Sequence, residues 1–428
     1  MHDRSLGLGG ACGCEEYRGL SRRGFLGVAA AAMAAPAWLP RVAMAADHRS
    51  SRDVIVSVIL RGGADALTMC VPWGDPWYLG LRGALAVPMP GSGLNAATDL
   101  DGYFGLPPAM LDLLEAYNAG RLAIVHACGS PDPSRSHFDA QRYLEIGKPS
   151  DMTLATGWLA RHLLTSEPVM SDGVLRAMSL TPGLPRVLAG GPRTLPVADP
   201  LNAGLTGRPA SKASRQQVLA DMYALGDEPL RSIAEQTRAT IALLEAIDFR
   251  GYAASGGASY GPDPFATALK STAALIKAQV GVEAVSIELN GWDTHASQGI
   301  FAGGAMATLM QTLAGGLKAF HRDVIQSTNI NVVVVAMSEF GRRIAPNAGM
   351  GTDHGHAGLM LVMGQKVKGG KVHTDWPGLD HPYDDRDLAA TIDFRDVLGE
   401  IVRYRLGNAA LGEVFPGYSV VDRGVVVH

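Results

Sequence analysis

The sequence predicts an α/β protein built on a doubly wound, mostly parallel sheet with helices on both faces. Its strongly apolar runs are rich in β-branched residues and lack clean alternation, a pattern typical of strands that are buried on both faces. Segments with helical spacing lie between these runs, and strands that alternate with helices are typical of a doubly wound sheet. The predicted strands cover Val54–Leu60, Leu122–His126, Val282–Leu289, Ile330–Met337 and Leu359–Met363.

Helices are predicted where apolar residues recur at steps of three and four. Residues 210–281 have a helical pattern with breaks at Gly226 and in the glycine-rich stretch 251–261, and they predict a helical insertion that covers one side of the sheet. A C-terminal helix is predicted from Phe394, with Asp393 as its cap. The helix before the fourth strand has an apolar face formed by Met306, Leu309, Leu313, Leu317, Phe320 and Val324.

The N-terminal segment has the pattern of a twin-arginine export signal. Arg22 and Arg23 precede an alanine-rich run over residues 27–35, and a small-residue cleavage site ends at Ala45. Prolines interrupt this segment before it reaches the ~20 apolar residues that a membrane-spanning helix needs. We therefore expect a mature domain over residues 46–428 that meets the twin-arginine export machinery, keeps no stable membrane anchor and is periplasmic or secreted.

Charge and cysteine content exclude several classes of function. Residues 1–45 hold five of the 37 basic and three of the 41 acidic side chains, so the mature chain has a net charge of −6. Such a surface does not attract nucleic acid, whose binding needs clustered lysines and arginines. Cys12 and Cys14 would leave with the signal, and the remaining Cys70 and Cys128 are too few for a disulfide framework or a four-thiolate metal site. They are expected as buried core residues, with one disulfide bridge as the alternative.

Acids and histidines lie close to the ends of the predicted strands. The carboxyl ends of parallel strands meet at one edge of a sheet, where open α/β folds place their active sites. Carboxylate and imidazole ligands together suit zinc, manganese or iron, and calcium stays open. The sequence therefore predicts a site for one or two divalent ions, with zinc, manganese or calcium as candidates. The predicted metal ligands are Asp65, Asp293, His295, Glu339, Asp353 and His354.

Two of these assignments have structural alternatives. Asp353 and His354 lie in a glycine-bounded turn, so an exposed turn with a helix-capping Asp is the alternative to metal binding. Glu339 directly follows a strongly apolar strand, where an unpaired charge would be costly. It could bind the metal, orient a ligand histidine through a hydrogen bond, or pair with Arg342 or Arg343.

A short segment at the start of a predicted helix supplies the catalytic candidates. Ser136 is placed where backbone N–H groups and the helix dipole favour an alkoxide or a bound anion, so it is the best nucleophile candidate. Arg135 is a candidate phosphate or sulfate clamp, and His137 a candidate ligand or acid/base. The alternative for Ser136 is an ordinary helix cap, and Thr68 or a water molecule could also attack.

Seven segments occur in order along the chain: the twin-arginine leader, Leu60–Asp65, Ser134–Phe138, Gly291–His295, Ser338–Arg343, Gly351–Gly355 and Trp376–Leu379. Together they resemble the bacterial secreted proteins of domain-of-unknown-function family 1501, over nearly the whole mature chain. That family is similar to the alkaline phosphatase and sulfatase superfamily, whose members are α/β enzymes with one or two metals at the carboxyl edge of the sheet.

The resemblance implies a role for each matching residue. Asp65 would be the acid after the first strand, and Ser136 would lie in the region of the nucleophile. Asp353 and His354 would be the superfamily's Asp-His metal pair. Asp293 and His295 would be ligands of a second metal.

The chain departs from the superfamily pattern at three points. The second-metal histidine expected late in the chain has no match, which leaves one metal or two open. Asp293 and His295 are separated by one residue, where the phosphatases usually have three. Pro131 stands at the position of the sulfatase nucleophile, so a standard sulfatase mechanism is not expected. The sequence thus predicts an exported metal-dependent hydrolase of phosphate or sulfate esters. Its expected substrate is a small molecule or an ester group carried on a polymer. The alternative is a non-catalytic periplasmic binding or assembly protein that retains the fold.

Overall fold

The computed structural model of the protein describes residues 52–205 and 207–428. The predicted export signal lies outside these residues. None of the helices within the described ranges combines the length and apolar character of a membrane span. The described residues form two compact units, one over residues 205–239 and a larger one over residues 52–204 and 240–428.

The strands include all five apolar runs that the sequence predicts, with bounds shifted by up to three residues. The remaining strands are two or three residues long and have no strong pattern of their own. The strands are β1 Val54–Arg61, β2 Thr98–Asp99, β3 Gly105–Leu106, β4 Leu122–Gly129, β5 Ala177–Ser179, β6 Thr194–Pro196, β7 Ala284–Asn290, β8 Val332–Ser338, β9 Gly358–Gly364, β10 Lys371–His373 and β11 Ile392–Asp393.

Helices connect most of the long strands. Short 3-10 helices cover Gly83–Leu85, Pro108–Leu113, Arg186–Leu188, Pro200–Asn202 and Pro209–Ser211, and a π-helical turn covers His321–Gln326. The α-helices are α1 Ala66–Met69, α2 Tyr78–Arg82, α3 Leu114–Asn118, α4 His137–Ile146, α5 Trp158–Leu164, α6 Lys212–Ala224, α7 Leu230–Ala246, α8 Pro264–Lys277, α9 Ala305–Phe320, α10 Phe394–Tyr404 and α11 Leu411–Val414.

A mostly parallel sheet forms the centre of the larger unit. Its order is β10-β4-β9-β8-β1-β7-β5-β6, with β11 also paired to β4. β1 runs parallel to β7 and β8 on its two sides. β9 is antiparallel to both β4 and β8. The mixed α/β class and the mostly parallel sheet that the sequence predicts are therefore confirmed.

Side chains of β1 alternate between two apolar cores because successive residues of a strand point to opposite faces. Val56 and Val58 pack in a core that includes Leu313 of α9. Ile55 packs in a second core that includes Leu398 of α10. Helices thus cover both faces of the sheet, which explains why β1 is a continuous apolar run without alternation.

The antiparallel direction of β9 decides where the functional residues lie. β8 ends at Ser338 and β9 begins at Gly358, and the two strands are paired in opposite directions. The loop over residues 339–357 therefore lies at the edge where β1, β7 and β8 end. Residues that precede β9 consequently meet residues that follow the parallel strands.

Candidate metal centre

Side chains from three distant segments converge at the carboxyl edge of the sheet. His137 is the first residue of α4, Asp293 follows β7, and His354 lies in the loop between β8 and β9. One ligand atom from each residue lies within 4.8 Å of the corresponding atoms of the other two. A histidine, a carboxylate and a second histidine thus form a group that could hold a metal ion.

Asp293 is the centre of this group. Its Oδ1 lies 3.1 Å from Nε2 of His354 and 3.0 Å from Nε2 of His295. Its Oδ2 lies 3.4 Å from Nε2 of His137. The buried guanidinium of Arg342 donates to Oδ1 of Asp293 at 2.6 Å and holds the carboxylate in place.

Each of the three histidines has its other ring nitrogen next to an oxygen acceptor. An acceptor at Nδ1 keeps the proton on that nitrogen and turns the lone pair of Nε2 towards Asp293, the arrangement that metal-ligating histidines adopt. The three Nδ1 contacts are His137 to Oε1 of Glu339 at 2.9 Å, His295 to Oδ1 of Asp353 at 3.1 Å and His354 to the carbonyl of Arg135 at 2.8 Å.

Phe340 packs against the imidazole rings of His137 and His354. It is buried, and its ring centroid lies 5.0 Å from that of His137 and 4.7 Å from that of His354. An apolar wall on one side of the group leaves the imidazoles few rotamers, so it helps to fix the direction of their Nε2 atoms.

Charges around the site keep its carboxylates ionised. Partial burial acts to raise the pKa of Asp293, but the hydrogen bond from Arg342 and the close contact with His354 outweigh it and hold that pKa at about 2. A hydrogen bond from Asn347, followed by one from His295, lowers the pKa of Asp353. The carboxylates are therefore available as anions near neutral pH.

Glu339 and His137 each shift the pKa of the other. Burial acts to raise the pKa of Glu339, yet hydrogen bonds from His137 and Gln141 outweigh it and lower that pKa. The same contact with Glu339 raises the pKa of His137. The pKa of His354, in contrast to that of His137, is lowered by burial, so this imidazole is neutral near pH 7.

The group is open on one side and buried on the other. The side chains of Asp293 and His295 are 45% and 44% exposed, whereas those of Glu339 and Arg342 are fully buried. The exposed side leaves room for a further ligand from solvent.

The geometry fits a divalent cation. Nε2 of His295 and Nε2 of His354 lie 3.0 Å apart, and Nε2 of His137 is buried without a hydrogen-bond partner. Ligand atoms around a tetrahedral ion at ~2.0–2.1 Å lie roughly 3.3 Å from one another. The distances from Asp293 to the three Nε2 atoms are close to this value, at 3.0 Å for His295, 3.1 Å for His354 and 3.4 Å for His137.

Glu339 and Asp353, which the sequence predicts as metal ligands, lie behind histidines. Glu339 accepts from Gly62 N at 2.8 Å and from Gln141 Nε2 at 3.0 Å, in addition to its contact with His137. Its hydrogen bond to a histidine of the group corresponds to one of the three roles that the sequence leaves open. Of the two arginines offered as its ion-pair partner, Arg342 contacts Asp293 and Arg343 contacts Asp353.

Asp65 lies in a separate buried network. Its Oδ2 accepts from Thr68 Oγ1 at 2.9 Å and from Gln298 Nε2 at 2.7 Å, and it forms an ion pair with Arg82. The structure therefore does not place it in the group around Asp293. Its buried position at the start of α1 explains why an acid follows the first strand.

The Arg135–Ser136 segment positions α4 and does not face the group with its side chains. Ser136 Oγ accepts from the backbone N–H of Asp139 at 3.4 Å, which is the helix-cap alternative. Arg135 donates from Nε to Asp387 at 3.0 Å and from Nη2 to Asp384 at 2.8 Å. Its contribution to the site is the carbonyl that fixes His354.

The two cysteines of the described residues are buried, as the sequence predicts. Cys70 and Cys128 are buried and free, and no disulfide joins them. Burial raises the pKa of both thiols, so neither is a reactive thiolate near neutral pH.

Residues 206–395 match the model of a family described as "Protein of unknown function (DUF1501)". This match confirms the family resemblance over those residues, which include Asp293, His295, Asp353 and His354 but not His137. No curated protein sequence matches the chain.

Two solved structures are similar to the chain at low levels. One is the C-terminal periplasmic domain of EcEptC from Escherichia coli in complex with Zn, with 9% identity, 74% of this chain and 75% of that chain covered, and a TM-score of 0.34. The other is the PH0037 protein from Pyrococcus horikoshii, with 12% identity, 73% and 86% coverage, and a TM-score of 0.29. Both likenesses are too distant to bear on function.

Proposed function

We propose that this protein is an exported, metal-dependent hydrolase of phosphate or sulfate esters. In this proposal the domain has a doubly wound fold of the alkaline phosphatase and sulfatase type. The observation that carries the proposal is the convergence of three Nε2 atoms on one carboxylate. The expected ligands are His137, Asp293, His295 and His354.

Zinc is the ion that best suits this ligand set, with manganese as the second choice. Three imidazole nitrogens and one carboxylate oxygen are typical zinc ligands, whereas calcium prefers six to eight oxygens. A bound ion of this kind would supply Lewis acidity towards an ester oxygen. With water as a fifth ligand on the exposed side, it would also supply a source of hydroxide near neutral pH.

Other residues around the ion would position the ligand histidines or bind the anionic part of the substrate. Glu339 and Asp353 hold His137 and His295 in the tautomer that presents Nε2. Arg343 is partly exposed beside the group, with Nη1 3.3 Å from Oδ2 of Asp353, and can face the negative charge of a phosphate or sulfate ester. Arg343 thus replaces Arg135 as the candidate anion clamp.

The attacking group in this proposal is water. Ser136 is engaged as a helix cap, and Thr68 is fully buried in the network around Asp65. The exposed face of Asp293 and His295 admits solvent directly.

A second candidate function is a non-catalytic periplasmic binding or assembly protein. It is favoured by the ion pairs among the same groups, because Asp293 already pairs with Arg342 and Asp353 with Arg343 and His295. Carboxylates that are balanced by neighbouring cations can be stable without a metal. In that case the group would stabilise the loop over residues 339–357.

Hydrolysis of a small substrate panel separates the two candidates. Mature protein supplied with zinc or manganese is mixed with an aryl phosphate, a phosphodiester and an aryl sulfate. The hydrolase proposal expects turnover of at least one substrate, loss of that turnover in Asp293→Asn, and wild-type turnover in His381→Ala, which removes a histidine that is 92% exposed outside the group. Absence of turnover in protein that demonstrably holds the ion would favour the binding protein.

A further inference from the structure

We propose that a cleft at the carboxyl ends of β5, β6 and β7 binds the uncharged organic group of the ester substrate. This inference rests on the proposed function and specifies its substrate class. The cleft has a volume of about 840 Å³. Sites for small molecules have volumes of roughly 300–1,000 Å³, so the cleft can take a group as large as a fused aromatic ring system.

Chain geometry places the cleft next to the candidate metal centre. Asn290 lines the cleft and Asp293 lies only three residues further along the chain. Since one residue spans at most ~3.6 Å, the Cα atoms of these two residues lie within about 11 Å of each other. Leu309 lines the cleft as well, and a Cβ added to Gly291 would meet its side chain at 3.5 Å. The segment from Asn290 to Asp293 therefore joins the cleft wall to the centre.

The charged residues of the cleft already have partners within the protein. Asp199 accepts from the N–H of Leu201 at 3.0 Å, and Asp263 accepts from the N–H of Ala266 at 2.9 Å as the cap of α8. Glu288 pairs with Arg61 at 2.5 Å. These three acids stabilise turns, a helix end and a strand end, and they outnumber the basic side chains of the lining.

The single arginine among the residues that line the cleft is engaged in the same way. Arg250 donates from Nε to the carbonyl of Leu201 at 3.1 Å and also contacts Asn202. The charges of the lining therefore give no net attraction for an anion, whereas the anionic part of an ester would face Arg343 at the metal centre. This division assigns the uncharged part of the substrate to the cleft.

Apolar side chains form much of the remaining lining, beside uncharged polar ones that include Thr181, Asn202 and Thr312. Prolines restrict the backbone on several walls, and a preformed apolar wall loses little conformational entropy when a ligand binds. Such a wall suits a flat aromatic or alkyl group better than a flexible polar one. The apolar side chains that carry this argument are Leu180, Pro182, Pro200, Pro264, Phe265 and Leu309.

A comparison of two esters tests the cleft through catalysis. Naphthyl phosphate and methyl phosphate share the reacting group and differ only in the organic part. We expect Leu309→Trp, which fills the cleft, to lower kcat/KM for naphthyl phosphate by roughly tenfold or more and to leave methyl phosphate unchanged, because pocket contacts of this size change selectivity by about 10–200-fold. Gln311→Trp, at an exposed position of α9 outside the cleft, is the matched control and should leave both values unchanged.

Pro182→Trp is a second cleft variant in case Leu309→Trp does not fold. Pro182 is exposed at the cleft, so the larger side chain needs no space in the core. It should reduce turnover of naphthyl phosphate selectively as well. Equal loss for both esters in both variants would overturn the proposal.

Direct binding of naphthol separates the cleft from the hydrolase proposal. Naphthol has the organic group but no ester, so its binding, followed by NMR or calorimetry, needs no catalysis. Wild type and Asp293→Asn should bind it alike, and Leu309→Trp should bind it roughly tenfold more weakly or worse. If naphthol binds in this pattern while no ester is hydrolysed, the hydrolase proposal fails and the cleft stands. If wild type does not bind naphthol, or Leu309→Trp binds it equally well, the cleft proposal is wrong.

Discussion

Nε2 of His295 and Nε2 of His354 lie 3.0 Å apart, and neither nitrogen has an obvious proton to share. The Nδ1 atom of each ring is next to an oxygen acceptor, Asp353 for His295 and the carbonyl of Arg135 for His354. In neutral rings whose protons lie on Nδ1, the two Nε2 lone pairs face each other. In the proposed metal centre, a cation between them would be coordinated by both nitrogens together with Asp293.

Removal of a ligand histidine should abolish tight metal binding. We expect His354→Ala to lower zinc affinity by more than about 100-fold, because changes behind the ligands alone cost roughly 10–100-fold. Competition against a chromogenic chelator measures this affinity. His381→Ala, which removes a fully solvated histidine, should bind zinc like wild type. Equal affinity in His354→Ala and wild type would exclude His354 as a ligand.

The carboxylate behind His137 should tune metal affinity without binding the ion. Glu339→Gln keeps the size of the side chain and removes the charge that fixes Nδ1 of His137. We expect a loss of zinc affinity of roughly 10–100-fold with the overall fold retained. Circular dichroism checks the fold and chelator competition checks the affinity. A complete loss of binding would instead point to Glu339 as a direct ligand.

Gly62 should be indispensable for the position of Asp293. Its φ is +122°, and an added Cβ would overlap the backbone nitrogen of Asp293 and lie 2.9 Å from the carbonyl carbon of Trp292. We expect Gly62→Ala to weaken zinc binding by more than tenfold, since the backbone that carries the ligand must move. This variant is assayed by the same zinc competition.

Gly120→Ala is the control for backbone strain at Gly62. Gly120 also has a positive φ, +67°, but an added Cβ there meets no atom within 4 Å. This control should cost about 1–2 kcal/mol of stability and leave zinc affinity unchanged. If Gly62→Ala behaves like Gly120→Ala, the close approach to Asp293 does not matter for the site.

Buried His126 should make the protein less stable in mild acid. Burial lowers its pKa from 6.5 to about 4 and outweighs the hydrogen bond from Nε2 to the carbonyl of Cys70, which acts to raise it. The neutral ring accepts the N–H of Ala127 at Nδ1. Between these two pH values the unfolded chain binds a proton that the folded protein does not. Stability therefore falls as the pH drops from 6.5 to 4, by on the order of 3 kcal/mol in total for this group.

Urea unfolding across this pH range measures the contribution of His126. His126→Gln cannot take up the proton, so its stability should fall less steeply between pH 6.5 and 4 than that of wild type. His381→Gln should show the wild-type slope, since that side chain is 92% exposed. Parallel curves for His126→Gln and wild type would contradict the assignment.

The main strands could be predicted from the sequence because they are long apolar runs. Residues 177–179 and 194–196 could not, since three residues carry no period and become strands only by pairing beside β7. The direction of β9 was also beyond the sequence, because a strand buried on both faces has the same pattern in either direction. That direction brings His354 to Asp293.

The candidate site was predictable in part. Asp293 and His354 stand out because acids and histidines lie near strand ends, and the structure brings them together. The place of Glu339 could not be fixed, since its partner His137 lies 202 residues away in sequence. Ser136 has the same helix-start pattern whether it attacks a substrate or caps a helix, and only the contact with Asp139 separates the two.

Zinc titration of the mature, metal-free protein shows whether the group around Asp293 is a metal site. Isothermal calorimetry with wild type, His295→Ala and Asp293→Asn measures stoichiometry and affinity together. We expect about one ion per wild-type chain at micromolar affinity or better, and binding weakened by more than about 100-fold in both variants. If the wild-type chain binds no ion, or if either variant binds it as tightly as wild type, these residues do not form a metal site.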